Sequence, residues 1–240
     1  MVESERPVAV VSGASSGIGQ AAARRLLHEG WDIAALGRRR ERLEALAAEA
    51  PAGRVLPVIV DLLQNGEIAA AAAPIRAWRS RLQALITSAG DFYVRGIAQT
   101  TAEEFERMWR LTVGAKFLLV RELLPLLEAA AGVPPRAVIH VASLAAHHPF
   151  AGESAYQSAM HGVMGLAMSQ DAELRGRGIR VAVVSPGLVR TELTERAFGP
   201  AALKEALNPE SIAVSIGHLI QTIRAGGYIP EIFQVPGNWP

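Results

Sequence analysis

Residues 8–19 read VAVVSGASSGIG, an apolar run followed by a turn with glycines at positions 13, 17 and 19. The next segment, 18–30, has apolar residues at helical spacing and ends at a glycine. A strand, a glycine turn and a helix in this order direct backbone N–H groups toward an anion, so the stretch predicts a phosphate-binding turn. The spacing is Gly-x3-Gly-x-Gly rather than the more usual Gly-x-Gly-x-x-Gly of dinucleotide sites, so a generic strand-to-helix turn is the alternative.

The alternation of apolar runs with helical segments continues along the whole chain. Predicted strands, some with the turn that follows, cover 8–11, 32–36, 54–60, 82–90, 136–143, 179–187 and 229–235. Predicted helices cover 18–30, 39–50, 67–78 with an interruption at Pro74, 101–131, 154–174, 192–207 and 209–224. Continuously apolar strands between amphipathic helices indicate a parallel sheet covered on both faces. We therefore expect one α/β domain over residues 1–240, a doubly wound, Rossmann-like sheet of about seven strands.

In such a sheet, ligands bind past the C-terminal ends of the strands. The chemistry is therefore expected in the turns at 12–19, 37–39, 61–62, 88–94, 143–153 and 185–191.

Composition and charge exclude several classes of function. The formal net charge is +1, which gives no general attraction to nucleic acid or to an anionic membrane. No cysteine is present, so disulfides, thiolate metal sites and cysteine nucleophiles are excluded. The most apolar helical run, 117–127, contains Arg121, Glu122 and Pro125, and the charged start MVESERP is not a signal peptide. We expect a soluble cytoplasmic protein with a small-molecule substrate.

The second turn carries information about the cofactor. The predicted strand 32–36 is followed by Gly37, Arg38, Arg39 and Arg40. An NAD site in this fold usually places an acid there for the ribose 2′-OH, whereas an arginine suits a 2′-phosphate. Arg38 is therefore predicted to favour binding of NADP(H) over NAD(H), and a solvated helix start is the alternative explanation of the arginines.

Several motifs in order resemble the short-chain dehydrogenase/reductase family over nearly the whole chain. SGASSGIG matches its Thr-Gly-x3-Gly-x-Gly turn with Ser12 for threonine, Ala89-Gly90 matches the end of its Asn-Asn-Ala-Gly turn, and the ending IPEIFQVPGNW is similar to members with a proline-bearing tail. Asp61-Leu62 resembles the adenine-contacting pair, and Pro186-Gly187 with Thr191 resembles the segment that meets the nicotinamide carboxamide. The cofactor-binding residues that turn motifs and resemblance imply are Gly13, Ser15, Ser16, Gly17, Ile18, Gly19, Arg38, Asp61, Leu62, Ala89, Gly90, Pro186, Gly187 and Thr191.

The resemblance also implies a reaction centre. Ser143 and Tyr156 stand where the family has its catalytic serine and tyrosine, the tyrosine being the general acid/base and the serine polarising a carbonyl. In members of the family, a lysine one turn after the tyrosine favours the phenolate and holds the nicotinamide ribose, and an asparagine helps hold a water. Here position 160 is Met160 and the asparagine position is Thr112, while Thr87 and Ser88 replace the paired asparagines before Ala89. A methionine carries no charge and donates no hydrogen bond, so the set is incomplete.

Several other basic side chains are candidates to replace the missing lysine. Lys116 lies one turn after Thr112, but a helix-surface or subunit-contact lysine is the simpler expectation. His147 and His148 lie in a loop where substrate contacts are expected, and His161 is turned about 100° from position 160 around the helix. His140, inside a strand, is expected to be a satisfied core polar group. No cluster has metal-ligand spacing.

Three hypotheses follow from this pattern. The first is an NADP(H)-dependent oxidoreductase acting on a carbonyl or a secondary alcohol of a medium-sized molecule. The second is a redox-neutral cyclase, isomerase or dehydratase on the same fold, and the third is a non-catalytic cofactor- or partner-binding homologue. The resemblance implies a homodimer or homotetramer, and residues 91–95, 144–153 and 188–208 are expected to line the substrate pocket.

Overall fold

A computed structural model describes residues 6–227 and 232–236. Its seven strands form one parallel sheet in the order β3-β2-β1-β4-β5-β6-β7. The strands are β1 Val8–Ser12, β2 Asp32–Gly37, β3 Val55–Ile59, β4 Ala84–Thr87, β5 Ala137–Val141, β6 Arg180–Pro186 and β7 Ile232–Val235. The predicted fold class is confirmed. The strand order reverses between β1 and β4, and this reversal opens a crevice past their C-terminal ends.

Helices cover both faces of the sheet. They are α1 Gly17–His28, α2 Arg40–Ala48, α3 Asn65–Trp78, α4 Ala102–Trp109, α5 Ala115–Ala129, α6 Ser154–Leu174, α7 Glu192–Phe198 and α8 Pro209–Arg224. Side chains along β1 alternate between two buried clusters: Val8 and Val10 pack with α3, α5 and α6, whereas Ala9 and Val11 pack with α1, α2 and α8. Because successive residues of a strand point to opposite faces, continuous apolar runs are needed to fill both clusters.

Three predicted helices differ from the structure. The predicted helix 101–131 is α4 and α5 joined by a π-helical segment, Arg110–Gly114. The predicted interruption at Pro74 is wrong: α3 runs through it, because the carbonyl that loses its hydrogen bond belongs to the exposed Ala70. The predicted helix 192–207 ends at Phe198, because Gly199 has φ of 76° and Pro200 then starts a short 3₁₀ turn.

The last predicted strand is only partly testable. Its residues 232–235 form β7, and 229–231 lie outside the described residues. Within 6–227 and 232–236, no helix has the length and apolar character that crossing a bilayer requires.

Candidate active site

A cavity of about 400 Å³ opens past the C-terminal ends of the central strands. Its lining includes Ser143, Tyr156 and every predicted cofactor-binding residue except Gly19. Met160, Thr112 and Lys116 line the same cavity. The structure thus brings residues from six separate turns to one place, as a doubly wound sheet does at its point of strand reversal. Their functional roles stay predictions.

The glycine turn between β1 and α1 leaves the first N–H groups of the helix available to a ligand. Gly13 has φ of 73°, and a Cβ there would lie 2.9 Å from the backbone nitrogen of Ala89. Gly19 does not line the cavity but lets α1 approach the turn, since a Cβ there would lie 2.5 Å from the carbonyl oxygen of Gly13. The N-cap residue Ser16 makes no side-chain capping bond, and no acid lies in the first turn of α1. This arrangement fits an anion at a helix N-terminus.

Two arginines, not one, line the cavity beyond the end of β2. Arg38 is exposed. The Nε of Arg39 donates to Ser15 Oγ at 3.1 Å, and its Nη2 donates to Ser16 Oγ. Arg39 also pairs with Glu192 at 2.6 Å, a carboxylate that Arg42 contacts as well.

Arg38 was predicted from the sequence as the cofactor-binding arginine, whereas Arg39 was not. A run of three arginines gave no signal to choose between them, because the end of the strand decides which one faces the glycine turn.

Ser143 and Tyr156 lie next to each other in the cavity. Ser143 follows β5 and accepts a hydrogen bond from the backbone of Ala145 at 3.1 Å, while Tyr156 lies in the first turn of α6. Burial raises the pKa of Tyr156 to about 12, the Ser143 hydrogen bond lowers this pKa, and the charge of Glu153 raises it further. Tyr156 is therefore a neutral phenol at pH 7 unless a positive charge comes close.

Two aromatic side chains pack beside Tyr156. The ring of Phe92 meets the ring of Tyr156 edge-on, with centroids 4.7 Å apart, and lies 5.3 Å from the ring of Phe198. Two of the segments expected to line the substrate pocket, 91–95 and 188–208, therefore meet beside the phenol. Their apolar contact suits a substrate with an organic side group.

Positions 160 and 112 contribute no charge to the cavity. Met160 is 5 % exposed and belongs to the core cluster under α6. Thr112 is fully buried in the π-helical segment, and its hydroxyl donates to the sulfur of Met108 at 3.6 Å. A π segment inside an α-helix is frequent at functional sites. Both side chains fill space here without an ionic group.

The expectation that Lys116 lies on the surface is wrong. Lys116 is 2 % exposed, and its Nζ donates to the carbonyl oxygen of Thr87 at 2.7 Å. The side chain follows the inner face of α5 to the C-terminal end of β4, where the sheet stops and the cavity begins. Burial lowers the pKa of Lys116 to about 7.

Four of the six histidines were predicted near the site or in the core, and they occupy different environments. His140 is fully buried in β5, with Nδ1 2.6 Å from Thr87 Oγ1 and Nε2 2.8 Å from Gln170 Oε1, which confirms the expected core polar group. His147 lies 3.1 Å from Ser185 Oγ, His148 is exposed, and His161 Nδ1 lies 2.9 Å from the carbonyl oxygen of Gln157 on its own helix. None of these four histidines lines the cavity.

Comparison with known sequences finds a dehydrogenase family model and several dehydrogenases. A family model described as short chain dehydrogenase matches residues 7–200. Serine 3-dehydrogenase of Agrobacterium fabrum is 32 % identical over 187 residues, which cover 77 % of this chain and 73 % of that protein. The 2-(R)-hydroxypropyl-CoM dehydrogenase of Xanthobacter autotrophicus is 35 % identical over 195 residues, covering 78 % and 76 % of the two chains.

Solved structures share the fold. A 3-ketoacyl-(acyl-carrier-protein) reductase from Brucella melitensis, complexed with NADH, superposes with a TM-score of 0.87 at 22 % identity, covering 97 % of each chain. An alcohol dehydrogenase from Thermococcus sibiricus, complexed with 5-hydroxy-NADP, superposes with a TM-score of 0.83 at 22 % identity, covering 97 % of this chain and 96 % of that one. At this identity the likeness concerns the fold alone.

Proposed function

The chain belongs to the short-chain dehydrogenase family, and from that premise we propose that it is an NADP(H)-dependent oxidoreductase that reduces a carbonyl or oxidises a secondary alcohol. One observation carries this proposal: a single cavity joins the glycine turn at the start of α1 to the Ser143–Tyr156 pair. An anion-binding turn and a proton-donating pair in one cavity are the two parts that hydride transfer from a bound dinucleotide requires.

The cofactor preference rests on charge at the end of β2. The last residue of β2 is Gly37, which offers no carboxylate to a ribose 2′-OH, and Arg38 and Arg39 follow it. Two guanidinium groups beside the glycine turn support a 2′-phosphate, which arginine binds through parallel hydrogen bonds. We therefore favour NADP(H) over NAD(H).

The chemistry divides between the cofactor and the hydroxyl pair. A bound nicotinamide supplies a hydride to the substrate carbon or accepts one from it. In reduction, Ser143 donates a hydrogen bond to the substrate carbonyl oxygen, and Tyr156 transfers its phenolic proton to that oxygen. In oxidation Tyr156 accepts the proton of the alcohol. Phe92 and Phe198 hold the apolar part of the substrate and limit the access of water.

A redox-neutral reaction on the same cavity is the second candidate. It is favoured by the uncharged, tightly packed side chains at positions 160 and 112. A cyclase, isomerase or dehydratase could use the Ser143–Tyr156 pair for proton transfer with no hydride moving. Its product would form after the nucleotide has been removed, whereas an oxidoreductase would give none.

Calorimetry with NADPH, NADP⁺ and NADH tests the cofactor assignment. We expect NADPH and NADP⁺ to bind more tightly than NADH, and Arg38→Ala or Arg39→Ala to remove at least part of that preference. Arg40→Ala is the matched control, because Arg40 pairs with Glu44 on α2 and does not line the cavity. Wild-type protein that binds none of these nucleotides would overturn the proposal.

Turnover tests the assignment of the hydroxyl pair. NADPH oxidation with a panel of ketones and quinones should fall about 10² to 10⁴-fold in Tyr156→Phe, the range that general acid catalysis supplies. Turnover that survives this substitution unchanged would exclude Tyr156 as the proton donor.

We also propose a homo-oligomer rather than a partner-binding half of a mixed complex. Exposed apolar side chains on α4, α5 and α6 support it, since Phe105, Phe117 and Met168 are 42 %, 47 % and 52 % exposed. Light scattering on the purified chain distinguishes a dimer or tetramer from a monomer, and co-purification of a homologous chain would favour the non-catalytic hypothesis instead.

A further inference from the structure

Lys116 is a buried amine without a carboxylate partner. Its Nζ donates to the carbonyl oxygen of Thr87 at 2.7 Å and lies 3.4 Å from Thr87 Oγ1. An ammonium has three N–H donors, so one is left over after these two contacts. Within the part of the chain that the structure describes, no acid forms an ion pair with Lys116. A methionine would fill the same volume without the free-energy cost of burying an amine, so packing alone does not account for a lysine here.

A chain of buried polar groups fixes the position of the amine. Burial, together with the charge of Lys116, lowers the pKa of His140 to about 3, so its imidazole is neutral. The oxygen of Gln170 faces Nε2 of His140, which places the single ring proton on Nε2. Nδ1 therefore accepts from the hydroxyl of Thr87, and this leaves the carbonyl and a hydroxyl lone pair of Thr87 for Lys116. The amine is held at the C-terminal end of β4, where it lines the cavity.

Lys116 and Tyr156 reach this cavity from neighbouring helices. Tyr156 needs a nearby cation to ionise near neutral pH, and Met160 one turn further along α6 supplies none. Two arginines at the rim are already engaged with carboxylates, Arg39 with Glu192 and Arg196 with Asp91. Among the basic residues that line the described cavity, Lys116 alone is buried.

We propose that Lys116 on α5 supplies the positive charge of this site, in place of the lysine that the family carries on α6. Its amine takes up a proton when the anionic dinucleotide binds, and the resulting ammonium holds the nicotinamide-bearing half of the dinucleotide. Thr87 is the positioning residue that orients it. This inference rests on the proposed function, because it requires a dinucleotide in the cavity.

Other ionisable groups do not account for proton uptake near pH 8. Those that line the cavity or share the hydrogen-bond chain are Arg38, Arg39, Asp61, Asp91, Arg107, His140, Tyr156, Glu192 and Arg196. Arginines stay protonated at this pH. The phenol of Tyr156, with its raised pKa, already holds its proton, and the imidazole of His140 stays neutral. The uptake is therefore assigned to Lys116.

Calorimetry in two buffers of different ionisation enthalpy measures this uptake directly. At pH 8, binding of NADP⁺ to wild-type protein should take up close to one proton, and Lys116→Met should take up almost none. Lys204→Met is the matched control, because Lys204 is the only other lysine and is exposed. Lys116→Gln keeps a donor for the Thr87 carbonyl without binding a proton, and it replaces the methionine variant if that variant does not fold. Equal uptake by wild-type and Lys116→Met proteins would overturn the inference.

A truncated ligand distinguishes a local role from a structural one. Adenosine 2′,5′-bisphosphate carries the adenine end of NADP⁺ without the nicotinamide ribose. Lys116→Met should weaken NADP⁺ binding at least tenfold and change bisphosphate binding less than twofold. Equal weakening of both ligands, or of neither, would overturn the inference while the proposed function stands. Wild-type protein that binds neither ligand would overturn the proposed function, and this inference with it.

Discussion

Replacing Lys116 by methionine should stabilise the folded protein most strongly at acidic pH. Burial lowers the pKa of Lys116 from 10.5 to about 7, so the unfolded chain binds about one more proton than the folded chain between those values. The stability of the wild-type protein therefore rises with pH across this window. The full free-energy cost of burying the charged Lys116 amine is present below pH 7. Lowering this pKa from 10.5 to about 7 corresponds to roughly 5 kcal/mol of lost stability. In Lys116→Met, loss of the hydrogen bond to Thr87 offsets about 1 kcal/mol of the stabilisation gained by removing the buried amine.

The measured quantity is the free energy of unfolding in urea at pH 6 and pH 9, followed by tryptophan fluorescence. Trp31 is fully buried and reports on the core. The Lys116→Met protein should be more stable than wild type by about 4 kcal/mol at pH 6, and this advantage should shrink by more than half at pH 9. Lys204→Met, at an exposed position, should show no such pH dependence. An advantage that stays constant between the two pH values would refute the assignment of a lowered pKa to Lys116.

Three further substitutions test other parts of the cavity and core. Met160→Lys should destabilise the protein by roughly 3 kcal/mol at pH 6, because it buries a second cation without a partner; an unchanged melting temperature would mean that this position is open to water. Gly13→Ala should abolish NADP⁺ binding in calorimetry, because φ is 73° and the new Cβ would lie 2.9 Å from Ala89 N; retained affinity would show that the turn does not hold the phosphates. The pKa of Asp171 would rise by burial, but hydrogen bonds from Val181 N–H and two arginines outweigh burial and lower it. Asp171→Asn should therefore cost about 2 kcal/mol of unfolding free energy above pH 4, and the difference from wild type should shrink as pH falls further; a difference that grows in acid would contradict this sign.

The sequence was sufficient for the fold and for the outline of the cavity. Apolar runs such as VAVV fill both faces of a parallel strand, and no other common element gives that pattern with amphipathic helices between. Because the C-terminal ends of parallel strands share one edge, the turns that follow them were bound to meet, and Ser143 with Tyr156 illustrates this. The effect of Pro74 on its helix was harder to predict. The helix α3 continues through Pro74, because the carbonyl that loses its hydrogen bond faces water.

The charged groups could not be ranked from the sequence. A lysine on a helix is usually exposed, and only the Thr87 carbonyl at the end of β4 explains why Lys116 turns inward. That acceptor lies 29 residues away along the chain. Arg39 was overlooked for a related reason, because its partners Ser15 and Glu192 belong to distant segments. Long-range polar partners leave no periodic trace in a sequence, whereas apolar burial does.

The pairing of Arg39 with Glu192 has a consequence for the order in which ligands arrive. Glu192 is the first residue of α7, whose last residue, Phe198, contacts the Phe92 ring that lies against Tyr156. If Arg39 binds a 2′-phosphate as proposed, that phosphate would compete with Glu192 for one guanidinium group, and the nucleotide would release one end of α7 while the other end still contacts Phe92. We expect a compulsory sequence of addition, nucleotide first and substrate second, with release in the reverse order. The short helix α7 would then couple nucleotide binding at one end to substrate binding at the other.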